Sequence, residues 1–178
     1  LSQNFAEAGK RCFQTYVENT LFSGFSYKPQ TYTITNHGET TTCPAFLIAC
    51  ANASQYGNDA LIAPYASMKD GLLDVVIMKP FSTIESPQVI LQLFAGTLPE
   101  SSHVRTLRTD HLHILREEDG PAHFDGDAFM TGKEIDIRLV RQGLNVVVNE
   151  SKRRFRLTPT SVLGARLFPR LFHEWIRD

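Results

Sequence analysis

Asn52-Ala-Ser-Gln-Tyr56-Gly57-Asn-Asp-Ala-Leu-Ile62-Ala-Pro64-Tyr-Ala66-Ser67-Met-Lys-Asp70-Gly71-Leu72-Leu-Asp74-Val75 is the stretch on which the reading of this chain turns. Residues 52–71 carry Asn, Gly, Asp and Pro at a density that predicts a long structured loop. The loop ends in the Asp70-Gly71 turn and runs straight into the apolar stretch Leu72–Lys79, a buried strand that Asp74 interrupts. A carboxylate on a turn whose carbonyls also point inward makes an oxygen cage for a hard cation such as Mg²⁺. Asp70 can equally form an Asx-turn ahead of a strand, and spacing alone favours that plainer use.

Outward from the loop, the periodicity changes several times. Phe5, Ala8, Cys12, Phe13, Tyr16 and Val17 fall at helical spacing, so residues 4–22 read as an amphipathic helix. Thr31 to Thr35 is β-branched or aromatic. The turn Asn36-His37-Gly38-Glu39 and the apolar run Ala45–Ala51 follow, and the whole reads as a hairpin. A helix is expected at 84–95, with Ser82 and Glu85 as a capping box, Ser86-Pro87 as a competing start and Gly96 as its stop. Short strands are expected at 103–109, 111–116, 121–124, 135–141 and 144–149, with turns at Asp119-Gly120, Asp125-Gly126 and Gln142-Gly143. The expected fold class is α+β and mainly β, a sandwich-like sheet core with two or three peripheral helices.

Composition narrows the class. The 178 residues suffice for one domain with a real core. Apolar residues make up 42% and charged residues 21%, the balance of a globular protein. Lys+Arg is 18 against Asp+Glu 19, so no charge excess calls for nucleic acid. Cys12, Cys43 and Cys50 contain no CxxC pair and read as free thiols of a reducing compartment, giving a cytoplasmic expectation. No apolar run nears the roughly 20 residues that span a bilayer. The first residue is Leu1 rather than Met, as in a piece of a longer protein.

Taken together, Asn52, Tyr56, Gly57, Ile62, Ala63, Pro64, Ala66, Asp70, Gly71, Leu72, Leu73, Asp74 and Val75 resemble the second-domain signature of bacterial diacylglycerol kinase-like lipid kinases, relatives of sphingosine and ceramide kinases. Farther on, these kinases carry an Asp-Gly-Glu hairpin tip, and His123-Phe124-Asp125-Gly126-Asp127 stands at that place. The resemblance covers roughly residues 1–150 and departs in three ways. Asn58 and Asp59 replace glycines after Gly57, the tip ends in Asp127 instead of Glu, and the Gly-Gly-Asp-Gly-Thr nucleotide motif is absent. The resemblance therefore implies a substrate domain, residues 1–178, whose ATP-binding lobe lies upstream.

The resemblance further implies ATP-dependent phosphorylation of a lipid hydroxyl, with Asp127 as the proton acceptor and Asp125 in support. It also implies a structural Mg²⁺ held by Asp70 and by main-chain carbonyls near Ser67 and Leu72. The partners it implies are a lipid alcohol and a membrane surface touched peripherally, with a homodimer left open. Diacylglycerol, a sphingoid base and another lipid alcohol are equally compatible with the residues.

Two alternatives come from the residues alone. His111 and His113 alternate on one strand, and with His103, His123 and Asp125 they could make the zinc site of a hydrolase, although alternating strand histidines are more often solvated. A non-catalytic lipid- or metal-binding β-domain is the other. Last, Lys152, Arg153, Arg154 and Arg156 precede Leu163, Leu167, Phe168, Leu171, Phe172, Trp175 and Ile176, with Arg166, Arg170 and Arg177 alongside. Residues 152–178 thus read as a basic segment with an amphipathic helix, for docking on protein or on an anionic membrane.

Overall fold

The structure is a computed structural model that describes residues 29–56, 60–125 and 127–147. The helix expected at 4–22, the Gly57-Asn58-Asp59 turn, Gly126 and the basic segment 152–178 lie outside the described residues.

Strand β1, Gln30–Asn36, turns back at once into β2, Glu39–Ala45, with Asn36 opposite Glu39. His37 and Gly38 form the two-residue tip with φ of 47° and 85°, the paired positive angles that match the twist of a hairpin. The returning arm is therefore the threonine run, not the apolar run Ala45–Ala51 expected from sequence. A two-residue tip obliges the very next residues to pair, and Thr33–Thr42 and Thr35–Thr40 do so through hydroxyls 3.1 Å apart. The apolar run crosses at Phe46 and becomes β3, Leu47–Ala51, in a second sheet.

Strand β4, Leu73–Met78, is the centre of that second sheet, paired antiparallel with β3 and with β5, Val104–Thr109. Asp110 alone then turns the chain into β6, His111–Arg116. Thr109, fully buried, fixes this corner by donating its hydroxyl to the His111 carbonyl at 2.8 Å. The first sheet has the order β2-β1-β6-β9, where β9 is Glu134–Arg138. Between β6 and β9 a separate two-stranded hairpin projects, β7 Gly120–Phe124 and β8 Asp127–Thr131. Several expected boundaries were close, but the strand expected at 135–141 ends at Arg138. Asp127–Thr131 was not anticipated as a strand, and 144–147 is not one.

Alternation along β4 builds three layers. Val75 and Ile77 face the first sheet and pack with Ile34, Leu112 and Ile114. Val76 and Met78 face the other way, onto Ala60, Ile62 and Ala63 of the long loop and onto Val89, Leu93 and Phe94 of helix α1, Ser86–Ala95. The expected helix starts two residues later than predicted, because Pro87 in the first turn sets the start. Glu85 nevertheless accepts the Ser82 amide at 2.8 Å and its hydroxyl at 2.7 Å, so the expected pair organises the turn before the helix. Gly96 ends the helix at φ 73°, and a β-carbon there would sit 3.1 Å from Leu61 Cδ1. Of the two or three helices expected, the described residues hold this one and a 3₁₀ turn, Leu98–Glu100. No helix among them is long and apolar enough to cross a membrane.

Ile77 seals the contact between the two sheets, so Ile77→Ala should cost about 2–5 kcal/mol. Thr33→Ala, on the outer face, should cost under about 1 kcal/mol. Urea unfolding of both variants tests the layering, and equal midpoints would overturn it.

Candidate functional site

The long loop is folded on itself. The Tyr56 amide donates to the Ala60 carbonyl at 2.8 Å, Ala63 donates to Ser54 at 3.3 Å, and Leu61 donates to Leu93 of α1 at 3.0 Å. With Ala60–Ala63 buried in the core, the loop holds its far end, Asp70, in a fixed place against β4 and β5. There Asp70 Oδ1 accepts the Leu72 amide at 3.1 Å, the Asx-turn read from sequence. Gly71 follows at φ 73°, a left-handed angle suited to glycine.

The other oxygen of Asp70 pairs with Arg108. Arg108 stands opposite Asp74 in the strand register and also approaches it, Nε to Oδ1 3.5 Å. Two carboxylates thus share one guanidinium. Burial pushes the Asp74 carboxyl above its ordinary value, Arg108 pulls it down, and Asp70 pushes it up again. Asp74 Oδ2 is buried without a hydrogen-bond partner among the described residues. The donors are all oxygens, the chemistry a hard cation takes, and the orphaned oxygen adds to them. The residues present therefore fit Mg²⁺, on condition that it competes with Arg108 for Asp70. Ser67 contributes its hydroxyl locally, accepting the Lys69 amide at 3.3 Å.

The second expected site stands on the β7–β8 hairpin. Asp125 occupies the tip at φ 46°, and Asp127 opens β8 opposite Phe124. Both carboxylates are exposed. Phe124 and Phe129 stack on one face of the hairpin with centroids 5.3 Å apart. Side chains tie the hairpin to the domain at both ends. Tyr56 of the long loop hydrogen-bonds His123 Nε2 on β7. At the other end Arg116 of β6 donates to carbonyls at the hairpin base. Burial holds the His123 imidazole below its ordinary value, against a smaller upward pull from Asp125.

The histidines do not converge, which removes the zinc constellation. His111 pairs with Asp136 and His113 with Glu134, each at 2.8 Å, on the outer face of the first sheet. There Arg138 completes the row, 2.7 Å from Asp136, whose carboxyl is held below its ordinary value by the His111 and Arg138 hydrogen bonds. His103 lies 3.2 Å from Glu85, and His123 contacts Tyr56. Among the described residues no group of three or more His, Cys, Asp or Glu is placed to hold a metal. The separation follows from topology: β5, β6 and β7 belong to three different sheets.

Arg108 and Arg116 escaped the sequence reading. The signal for Arg116 was present, because it extends the inward series Leu112, Ile114 by one more step of two. Arg108 carries no such mark, and only the strand register places it across from Asp74.

Residues 8–148 match the family model described as the YegS C-terminal NAD kinase beta sandwich-like domain. A probable lipid kinase, YegS-like, of Shewanella frigidimarina is 29% identical over 64% of this chain and 36% of its own length. A protein of the same description from Chromohalobacter salexigens is 35% identical over 47% of this chain and 27% of its own. The chain thus spans about a third of the length of these relatives. Two crystal structures from Bacillus anthracis strain Sterne, described as diacylglycerol kinases, one of them by provisional assignment, share the fold. One has a TM-score of 0.56 at 20% identity, covering 71% of this chain and 41% of that one. The other has 0.51 at 18%, covering 68% and 43%.

His123 carries a pH prediction. Its folded value lies below its unfolded value of 6.5, so the stability it contributes is complete above that pH and is lost on acidification. Urea midpoints should therefore fall between about pH 7.5 and 5.5, and fall less in His123→Gln. Identical losses in both proteins would show that the buried imidazole contributes nothing.

Proposed function

The chain belongs to the YegS C-terminal family of NAD kinase-like β-sandwich domains, and from that premise we propose that it is the lipid-facing domain of an ATP-dependent lipid kinase. The single observation that carries the reading is the Asp125–Asp127 hairpin, two exposed carboxylates at the end of an anchored strand pair, where the resemblance expects its proton acceptor. The relatives described as lipid kinases support the class. In this reading an upstream lobe brings ATP, and the lipid alcohol lies on the domain at the membrane surface.

Phosphoryl transfer needs little from the protein beyond positioning and charge neutralisation. Asp127 accepts the hydroxyl proton as the oxygen bonds to the γ-phosphorus, while the bond from that phosphorus to the ADP oxygen breaks. Asp125 stands two residues away at the same tip, and both carboxylates are open to water and to an incoming substrate. Mg²⁺ at the loop, held by Asp70 with carbonyls near Ser67 and Leu72, would supply fixed positive charge and order the turn. Arg108 holds the same carboxylate when the ion is absent.

Two measurements test this. In the full-length protein with ATP and micellar diacylglycerol, Asp127→Asn should lower kcat by about 10²–10⁴ and leave KM for ATP unchanged. Asp127→Glu should keep substantial activity. Wild-type turnover in Asp127→Asn beside a dead Asp125→Asn would exchange the two roles, and full activity in both would leave a non-catalytic domain. For the loop, Mg²⁺ should raise the Tm over that in chelator, the increment vanishing in Asp70→Asn and growing in Arg108→Gln. No increment in either wild type or Arg108→Gln would remove Mg²⁺ from the loop.

A further inference from the structure

Arg116 closes β6 and is 5% exposed, yet no carboxylate among the described residues pairs with it. A guanidinium withdrawn from water must find acceptors for its N–H groups. Here the acceptors are main-chain carbonyls. Nε donates to Gly132 at 3.1 Å, and Nη2 donates to Gly120 at 2.9 Å and to Thr131 at 2.6 Å. Gly120 opens β7, and Thr131, its partner in register, closes β8. One side chain therefore grips both legs of the hairpin at its base.

The grip reaches back into the first sheet. Arg116 pairs with Tyr32 of β1, and its own amide donates to the Lys133 carbonyl at 2.9 Å, just ahead of β9. Gly120 is part of the same device, since a β-carbon there would lie 2.9 Å from Nη1. A two-stranded hairpin is marginal in water without support, and this one leaves Phe124 74% and Met130 64% exposed. An apolar side chain could fill the space of Arg116. It could not fix an angle, which the planar fork does through directional bonds.

We propose that Arg116 is the positioning residue of the hairpin, setting the direction in which Asp125 and Asp127 point; the proposal rests on the reading of that tip as catalytic. The lever is long. Asp127 lies four residues from Thr131, about 13 Å along an extended strand, so a tilt of about 5° at the base moves the tip about 1 Å. A displacement of that size in a reacting group lowers rate by about 10²-fold. Substrate binding by the other elements is untouched by it.

The test uses the full-length protein with ATP and micellar diacylglycerol, read by kinetics and by amide hydrogen exchange. Arg116→Met should lower kcat about 10- to 100-fold with KM for ATP unchanged. Exchange should quicken at 127–131 and stay slow at 75–77 in β4. Arg116→Lys, which keeps charge without the fork, should recover only part of kcat. Gly120→Ala alone should reproduce the loss but add little to Arg116→Met, where the obstructing guanidinium is gone. Unchanged kcat in Arg116→Met, or exchange quickened equally throughout the domain, would overturn the proposal. If the wild type phosphorylates no lipid, the kinase reading fails by itself. The exchange pattern and the Arg116–Gly120 non-additivity then judge the clamp, and their absence would sink it.

Discussion

Strand β4 must be buried on both faces, and that one requirement propagates through the domain. Val75 and Ile77 need a sheet on one side, while Val76 and Met78 need cover on the other. The first need is met by β1 and β6, which bring Ile34, Leu112 and Ile114. The second is met by α1 together with Ala60, Ile62 and Ala63, residues of a loop that elsewhere would run over the surface. The loop is thereby made part of the core, and its polar end at Asp70 inherits the rigidity of the packing. Long loops with buried apolar anchors of this kind are where function concentrates.

Among the described residues, charge comes closest to the core at two strand ends. Asp74 sits one residue inside β4 on the same face as Val76 and Met78, opposite Arg108 on β5. Past that rung the apolar cover stops and the Asp70 turn begins. Arg116 plays the corresponding part at the end of β6, where the inward series passes from Leu112 and Ile114 to a guanidinium. Asp74 is met by the guanidinium of Arg108, whereas the partners of Arg116 among the described residues are carbonyl dipoles. A neutral partner lost from a buried group costs about 1–3 kcal/mol, so each arrangement holds its neighbours firmly in place.

How much of this was legible in the sequence depended on whether the determinant was local. The buried strand after Asp70-Gly71, the Asx-turn and the helix ending at Gly96 were legible, since each is written in a few consecutive residues. The mainly-β class was legible in the succession of short strand-like segments, and the family in the resemblance carried by the loop string and the hairpin tip. The first hairpin was misread because hydrophobicity was followed where the turn geometry at His37-Gly38 decided the register. The four histidines looked like a cluster because they are near in sequence, and sheet topology separates them. Arg108 was invisible, as its role exists only through the β4–β5 register.

A sequence that follows local rules specifies its own elements, and departures from those rules gather where side chains serve something other than stability. Asp74 breaks an apolar strand, Arg116 breaks an inward-facing series, and His123 is half buried with one ring nitrogen unpartnered among the described residues. Each costs stability relative to an apolar residue of similar size. All three lie against the elements that resemble a kinase signature: Asp74 beside the Asp70 turn, Arg116 at the base of the hairpin, His123 two residues from its tip. An apolar side chain of similar size would spare that cost at each of the three positions. Asp74 on β4, Arg116 on β6 and His123 on β7 border the Asp70 turn and the β7–β8 hairpin, and that placement supports the proposed reading of these two elements as functional.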